Sequence, residues 1–204
     1  DLHEPCKGIA GVPLQLDLNE GKYPKADFST KELEGLIGKN NLAIDFLDAL
    51  EQSTLKFKEA LSKALEDLPV NDYVYIPTVW NGHAVILQYV KETEETFKVR
   101  LFNSGGGLGL HESVLIGSQK YYFPYKERVG VLKEALLDPI FIEAFRLINL
   151  KDSTRHVSNP FDEYFSHLGS MGGTETTNIE AKAEDFLEPQ LAGTCAYYRV
   201  PYFF

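Results

Sequence analysis

At 204 residues the chain is about the size of one ordinary domain and can bury a real core. A composition of 44% hydrophobic and 25% charged residues excludes disordered, collagenous and coiled-coil classes, and no apolar run approaches the roughly 18 residues of a membrane-spanning helix. A formal net charge of −10 opposes nonspecific binding to nucleic acid or anionic lipid and suits a basic partner surface, while two cysteines, Cys6 and Cys195, are too few for a disulfide scaffold and fit a reducing compartment.

Residues 1–28 are rich in Gly, Pro and Asp and read as an extended lead-in with one short strand over 12–18. The chain begins at Asp1 and not Met, which predicts a piece of something longer. Residues 29–69 form a helical N-terminal part. Ser29 or Thr30 caps a short helix over 31–37, with Glu32 and Glu34 near its positive end, and Gly38 stops it. A longer helix over 41–68 follows, with Leu42, Ile44, Phe46, Leu47, Leu50, Leu55, Phe57, Leu61 and Leu65 on its apolar stripe and Pro69 closing it.

Residues 70–204 read as a sheet-and-helix domain. Segments 72–80, 83–91 and 96–103 switch to a period of two and are rich in β-branched and aromatic residues. Asn81-Gly82 and the acidic run 92–95 separate them, which predicts an antiparallel sheet. Glycines at 105–107 and 109 make a loop, and 120–125 adds a strand weakened by Pro124. From Val129 the pattern turns helical, so a helical insertion is expected over about 130–187, with a loop at 169–177. The fold class is α+β, a central antiparallel sheet packed against helices.

Two places carry chemistry. His83 opens a strand, and the hairpin that starts there returns to Asn103. A turn centred on Thr93 sets His83 opposite Asn103 on one face, where the Asn103 carbonyl can accept from one imidazole nitrogen while the other faces a substrate. The second place is the run from Pro189 to Tyr198, a loop feeding a helix, with Thr194 at the cap and Cys195 in the first turn. A thiol there feels the positive helix end, which stabilises thiolate. Gln190, five residues earlier, can donate to an oxyanion, and Gly193 allows close approach of a substrate backbone. Each residue also has a plainer reading: a strand-end histidine, a turn-forming asparagine, a buried cysteine.

The order His83, Asn103, Gln190, Cys195, with spacings of twenty and five, resembles the clan of cysteine peptidases that includes the ubiquitin-like-protein proteases, the adenovirus-type proteases and the YopJ-type effector acetyltransferases. The likeness covers 83–103 and 190–198. It implies a papain-like fold with His before Cys, His83 as general base and acid, Asn103 as orienting group, Gln190 as oxyanion donor and Cys195 as nucleophile. The implied activity is that of a deubiquitinase or ubiquitin-like-protein isopeptidase, with ubiquitin or a relative as substrate and no cofactor. The implied place of work is the cytoplasm, or a host cytosol for a delivered bacterial effector. The chain departs from the family pattern in Ala84 after the histidine, where an aromatic residue is usual, and in Gly193-Thr194-Cys195-Ala196, where Asp-Cys-Gly is usual. The 86 residues between Asn103 and Gln190 also exceed the SUMO-protease interval, and Pro201 follows the cysteine closely where the family's helix runs on for several turns.

Trp80, three residues before His83, either walls a substrate channel with Gly193 and Thr194 or anchors the sheet. His111 is a second-choice histidine beside the glycines, and Ser104 a second-choice orienter. No two histidines show i, i+4 spacing, so no metal site is expected. Two other functional classes fit the same residues: an acetyltransferase using His83 and Cys195, which needs a basic pocket for cofactor phosphates, and a noncatalytic interaction module.

Overall fold

The computed structural model describes residues 30–80, 83–103, 111–123, 125–149 and 172–176. The first helix, α1, spans Thr30–Gln52 and runs straight through Gly38, where the sequence predicts a break. Glycine in a helix costs about 1 kcal/mol relative to Ala but removes no hydrogen bond, so it weakens a helix without ending it. The break falls instead at Ser53. Its amide still closes the last turn of α1 onto the Ala49 carbonyl at 3.1 Å, after which its own backbone is extended (φ −172°, ψ 160°). The Ser53 hydroxyl then accepts from the Lys56 amide at 3.2 Å and caps α2, Thr54–Asp67. Leu68 is extended, as a residue before proline prefers, and Pro69 ends the helix as expected.

Strands β1 (Tyr73–Trp80), β2 (His83–Lys91) and β3 (Thr96–Phe102) lie where the alternation puts them. They are followed by a separate hairpin, β4 (Ser113–Ile116) and β5 (Gln119–Tyr122), and then by β6 (Tyr125–Leu132). The expected helical stretch from Val129 is therefore corrected: 129–132 finish β6, and helix begins only with α3, Lys133–Leu136, and α4, Pro139–Asn149. Pro139 opens α4, and the Asp138 carboxylate accepts from the Phe141 amide at 2.9 Å, so the signal for this start is local. The loop expected at 169–177 contains a short strand, β7 (Thr174–Thr176). The lead-in at 1–28 lies outside the described residues.

The main sheet has the order β1-β2-β3-β6-β7, every pair antiparallel. One face packs against the helices: Val74, Ile76, Val85, Leu87, Tyr89, Phe97, Val99, Leu101 and Val131 join Phe46 and Leu50 of α1, Phe57, Leu61 and Leu65 of α2, and Phe141, Ile142 and Phe145 of α4. Phe57 stacks on Phe145 at 5.6 Å and meets Phe46 edge-on at 6.2 Å, so the three helices share one aromatic centre. Side chains then close the helix ends: Arg146 Nε donates to the Leu50 carbonyl at 2.9 Å, and Lys91 Nζ reaches the Glu66 carbonyl at 3.5 Å and Glu94 at 2.8 Å. The architecture is thus an α+β one, with a mostly antiparallel five-stranded sheet under helices.

The opposite face is not bare. A polar row crosses it: Arg100 donates to Glu127 through Nε at 2.6 Å and to Gln88 through a terminal nitrogen at 3.4 Å, and Thr176 donates to the other Glu127 oxygen at 3.1 Å. β6 bends between Val131 and Arg128, where the register shifts. Gly130 takes φ +67° there, and its amide donates to Glu92 Oε2 at 2.9 Å. A bulge of this kind needs a residue that enters left-handed backbone without strain.

Candidate functional site

β1 ends at Trp80, β2 begins at His83, and the two residues are register partners. β3 ends at Phe102, opposite Ile86, and Asn103 follows at once. All three candidate positions therefore sit at one end of the sheet. The cross-strand partnership differs from expectation. In the observed register Leu87 faces Leu101 and Ile86 faces Phe102, so continuation places Asn103 level with Val85 and not with His83. The cause lies in the turn. The Thr93 hydroxyl accepts from the Glu95 and Thr96 amides at 3.2 and 3.1 Å, and the Glu92 amide donates to the Thr96 carbonyl at 2.9 Å, which centres the loop on Glu94 and not on Thr93. Because the slip is an even number of residues, Asn103 and His83 still belong to rows on the same face. They are diagonal neighbours, a relation that separates backbones by about 7–8 Å.

That face is the helix-packed one, since Val85, Leu87, Val99 and Leu101 continue the same rows inward. Asn103 is only 2% exposed. A buried amide is held by hydrogen bonds and keeps a fixed orientation, which is what an orienting group requires. Gln190, Gly193, Thr194 and Cys195 lie outside the described residues, and for Trp80 and His83 it is the backbone placement that is described.

His111, the second-choice histidine, is buried, and its Nδ1 lies 2.9 Å from the Phe123 carbonyl oxygen. The Phe123 amide in turn donates to the Glu112 carbonyl at 2.7 Å. The imidazole thus closes the base of the β4–β5 hairpin. Behind it an aromatic chain runs from Phe123 to Tyr125 (4.6 Å) and on to Phe102 (5.0 Å), the residue before Asn103. Among the described residues no three His, Cys, Asp or Glu side chains gather in a metal-holding group, and no helix is long and apolar enough to cross a membrane.

The alternation pattern does not point to the residues around β7. Lys126 and Arg128 both approach the Glu175 carboxylate, at 3.2 and 3.4 Å, and Arg128 also donates to the Gly173 carbonyl at 3.0 Å. The only signal in the sequence is alternating charge at 126–128 opposite a lone Glu175 between two threonines. That pairing spans about fifty residues of chain, beyond any local pattern. β7 runs antiparallel to β6, and β6 starts at the Phe102–Tyr125 pair, so Thr176 points toward the same sheet end as Trp80, His83 and Asn103. Comparison with protein-family models, with curated proteins and with solved structures found no match for this chain.

Proposed function

We propose that this chain is a cysteine peptidase of the permuted papain-like kind, a deubiquitinase or ubiquitin-like-protein isopeptidase working in a cytoplasm. The observation that carries the reading is convergence at one sheet end. His83 begins β2 there, Asn103 follows β3 there, and β7 runs toward it. Two of the four chemically matched residues, His83 and Asn103, thereby share one end of the sheet.

In the proposed reaction His83 takes the Cys195 thiol proton, and the thiolate attacks the carbonyl carbon of an amide or isopeptide bond. The negative oxygen of the tetrahedral intermediate is received by the Gln190 side-chain amide and by backbone amides at the start of the cysteine helix. Collapse breaks the C–N bond, the leaving amine takes the proton from His83, and a thioester remains. His83 then deprotonates a water that attacks the thioester, releasing a carboxylic acid and the thiol. Asn103 keeps the imidazole facing the thiol throughout, while Trp80, Gly193 and Thr194 border the channel for the substrate tail.

A ubiquitin or ubiquitin-like protein carrying a C-terminal electrophile tests this. The expected result is a one-to-one adduct on Cys195, absent in Cys195→Ala and slowed at least about 100-fold in His83→Ala. Asn103→Asp retains most of the rate, since a carboxylate also accepts from imidazole, and Asn103→Ala loses it. No adduct with any such probe would overturn the substrate class, and acetyl-CoA consumption that depends on Cys195 would replace hydrolysis with acetyl transfer.

A further inference from the structure

Among the described residues β4 (Ser113–Ile116) joins no strand but β5, and the pair forms a sheet of its own. Val114, Leu115 and Ile116 are aliphatic in succession, a run suited to a strand covered on both faces. Here the run is an edge instead. Leu115 is 69% exposed and Ile116 41%, and by alternation they stand on opposite faces, so neither face of the tip is covered. Natural edges of this kind are commonly blunted by a charge or a proline, and β4 carries neither.

The hairpin also fixes what this edge offers. Its two-residue turn, Gly117-Ser118, makes Ile116 and Gln119 a hydrogen-bonded pair, and the same alternation makes one of Val114 and Tyr121. The amides and carbonyls of Ser113 and Leu115 therefore face outward, spaced to receive another strand. On the Leu115 face stands Lys120, the register partner of Leu115 and the one charged residue in 113–122, with Nζ 5.0 Å from the Tyr122 ring. Ser113, opposite Tyr122, is short, and two strand spacings, about 10 Å, lie within the joint reach of a lysine and a glutamate. A carboxylate on an incoming strand can thus meet the ammonium over the serine. Glu112 belongs by alternation to the other face. The net charge of −10 acts from farther away, where salt screens it beyond about 8 Å.

We propose that the outer edge of β4 receives an extended segment of a partner protein, with acidic residues on the Lys120 face alternating with apolar residues that cover Val114 and Ile116. Main-chain bonds supply affinity and the charge supplies selectivity. A second copy of this chain fits less well: two four-residue edges bury far less than the roughly 1,000 Å² of a stable interface, and the copies repel. None of these residues belongs to the catalytic set, so docking holds or fails independently of Cys195.

Fluorescence anisotropy on the full chain tests this, with a labelled eight-residue peptide alternating valine and glutamate and its valine–lysine counterpart as probes. The glutamate peptide is expected to bind about fivefold more tightly than the lysine peptide, and Lys120→Glu to reverse the order. Leu115→Asp, at an exposed position, sets a like charge beside the carboxylates and is expected to weaken the glutamate peptide at least about tenfold with the thermal midpoint unchanged. Equal binding of the two peptides overturns the acidic partner, and no binding of either overturns the docking site. Sedimentation showing a dimer that Leu115→Asp dissolves would overturn the peptide in favour of a second copy.

Discussion

Asp72 meets its counter-charge across a helix–strand junction. Lys39 of α1 reaches its carboxylate, donates to the Tyr73 carbonyl at 2.7 Å and lies 3.7 Å above the Tyr73 ring, while the neighbouring Asn40 accepts from the Tyr75 hydroxyl. Partial burial raises the Asp72 pKa, but the Lys39 hydrogen bond, the Tyr73 amide and the Lys39 charge together outweigh it, so the group titrates below its ordinary 3.8. A carboxyl lowered in the folded state adds stability above its unfolded pKa and loses it as pH falls through the folded one. At this partly exposed site the effect is small, about 0.5 kcal/mol. Urea midpoints should therefore show Asp72→Asn less stable than the parent at pH 7, with the difference closing as the pH falls through the acid range below 3.8. Burial also pushes the Tyr75 hydroxyl well above its usual range, with Tyr73 adding to the shift, so it stays a donor at any working pH. None of these partnerships, formed across more than thirty residues of chain, has a local pattern. By contrast, alternation alone brings His83 and Asn103 to one face of one hairpin. It misses their alignment because one hydroxyl, that of Thr93, moves the centre of the turn.

Among the elements, the helical region shows what local patterns miss. Gly38 carries the more familiar break signal and Ser53 the weaker one, yet Ser53 separates α1 from α2. The difference is that a break needs somewhere for the chain to go. At Ser53 the new helix is received by the aromatic centre on one side, by a bond from Thr54 to Glu143 on the other, and by Arg146 on the Leu50 carbonyl left behind. Ser53→Ala removes the cap and should cost about 1 kcal/mol, read from the urea midpoint with an unchanged slope. The strand β6 is hidden for a related reason. Its second half, Val129 to Leu132, runs on into the helix-forming residues of α3 with no residue that stops a helix outright, and a short apolar run cannot by itself announce its period. Only pairing with β3 decides for strand, and the Gly130 bulge lets that pairing survive a shift of register.

Across the whole molecule, helices and sheet depend on one core and should fail together. Phe57 is fully buried within it, touching rings from α1 and α4 in the cluster that also holds the apolar row of the sheet. Phe57→Ala is expected to cost about 3–5 kcal/mol, with helix and aromatic circular-dichroism signals falling in a single transition. Separate transitions would mean that the helical N-terminal part folds independently of the sheet. Period-two alternation is enough to mark the helix-facing rows of the strands. It gives no warning that Ile86, Gln88 and Phe102, on the other face, are nearly as deeply buried, because β2 is apolar or uncharged at almost every position and has no wet side to reveal.

The β4–β5 hairpin stands outside this shared core. Among the described residues it pairs only with itself, ends in a Gly117-Ser118 turn and presents Leu115 to solvent at 69% exposure, while His111 holds its base. An arm built this way can change length without disturbing the five-stranded sheet. It should tolerate growth or trimming in matched pairs of residues, one on each strand, which preserves the turn, whereas a single added residue would reverse the outward and inward faces along the rest of its strand. Beyond its His111–Phe123 base the arm is thus open to being rewritten, by evolution or by an engineer placing a tag, at little cost to the five-stranded sheet.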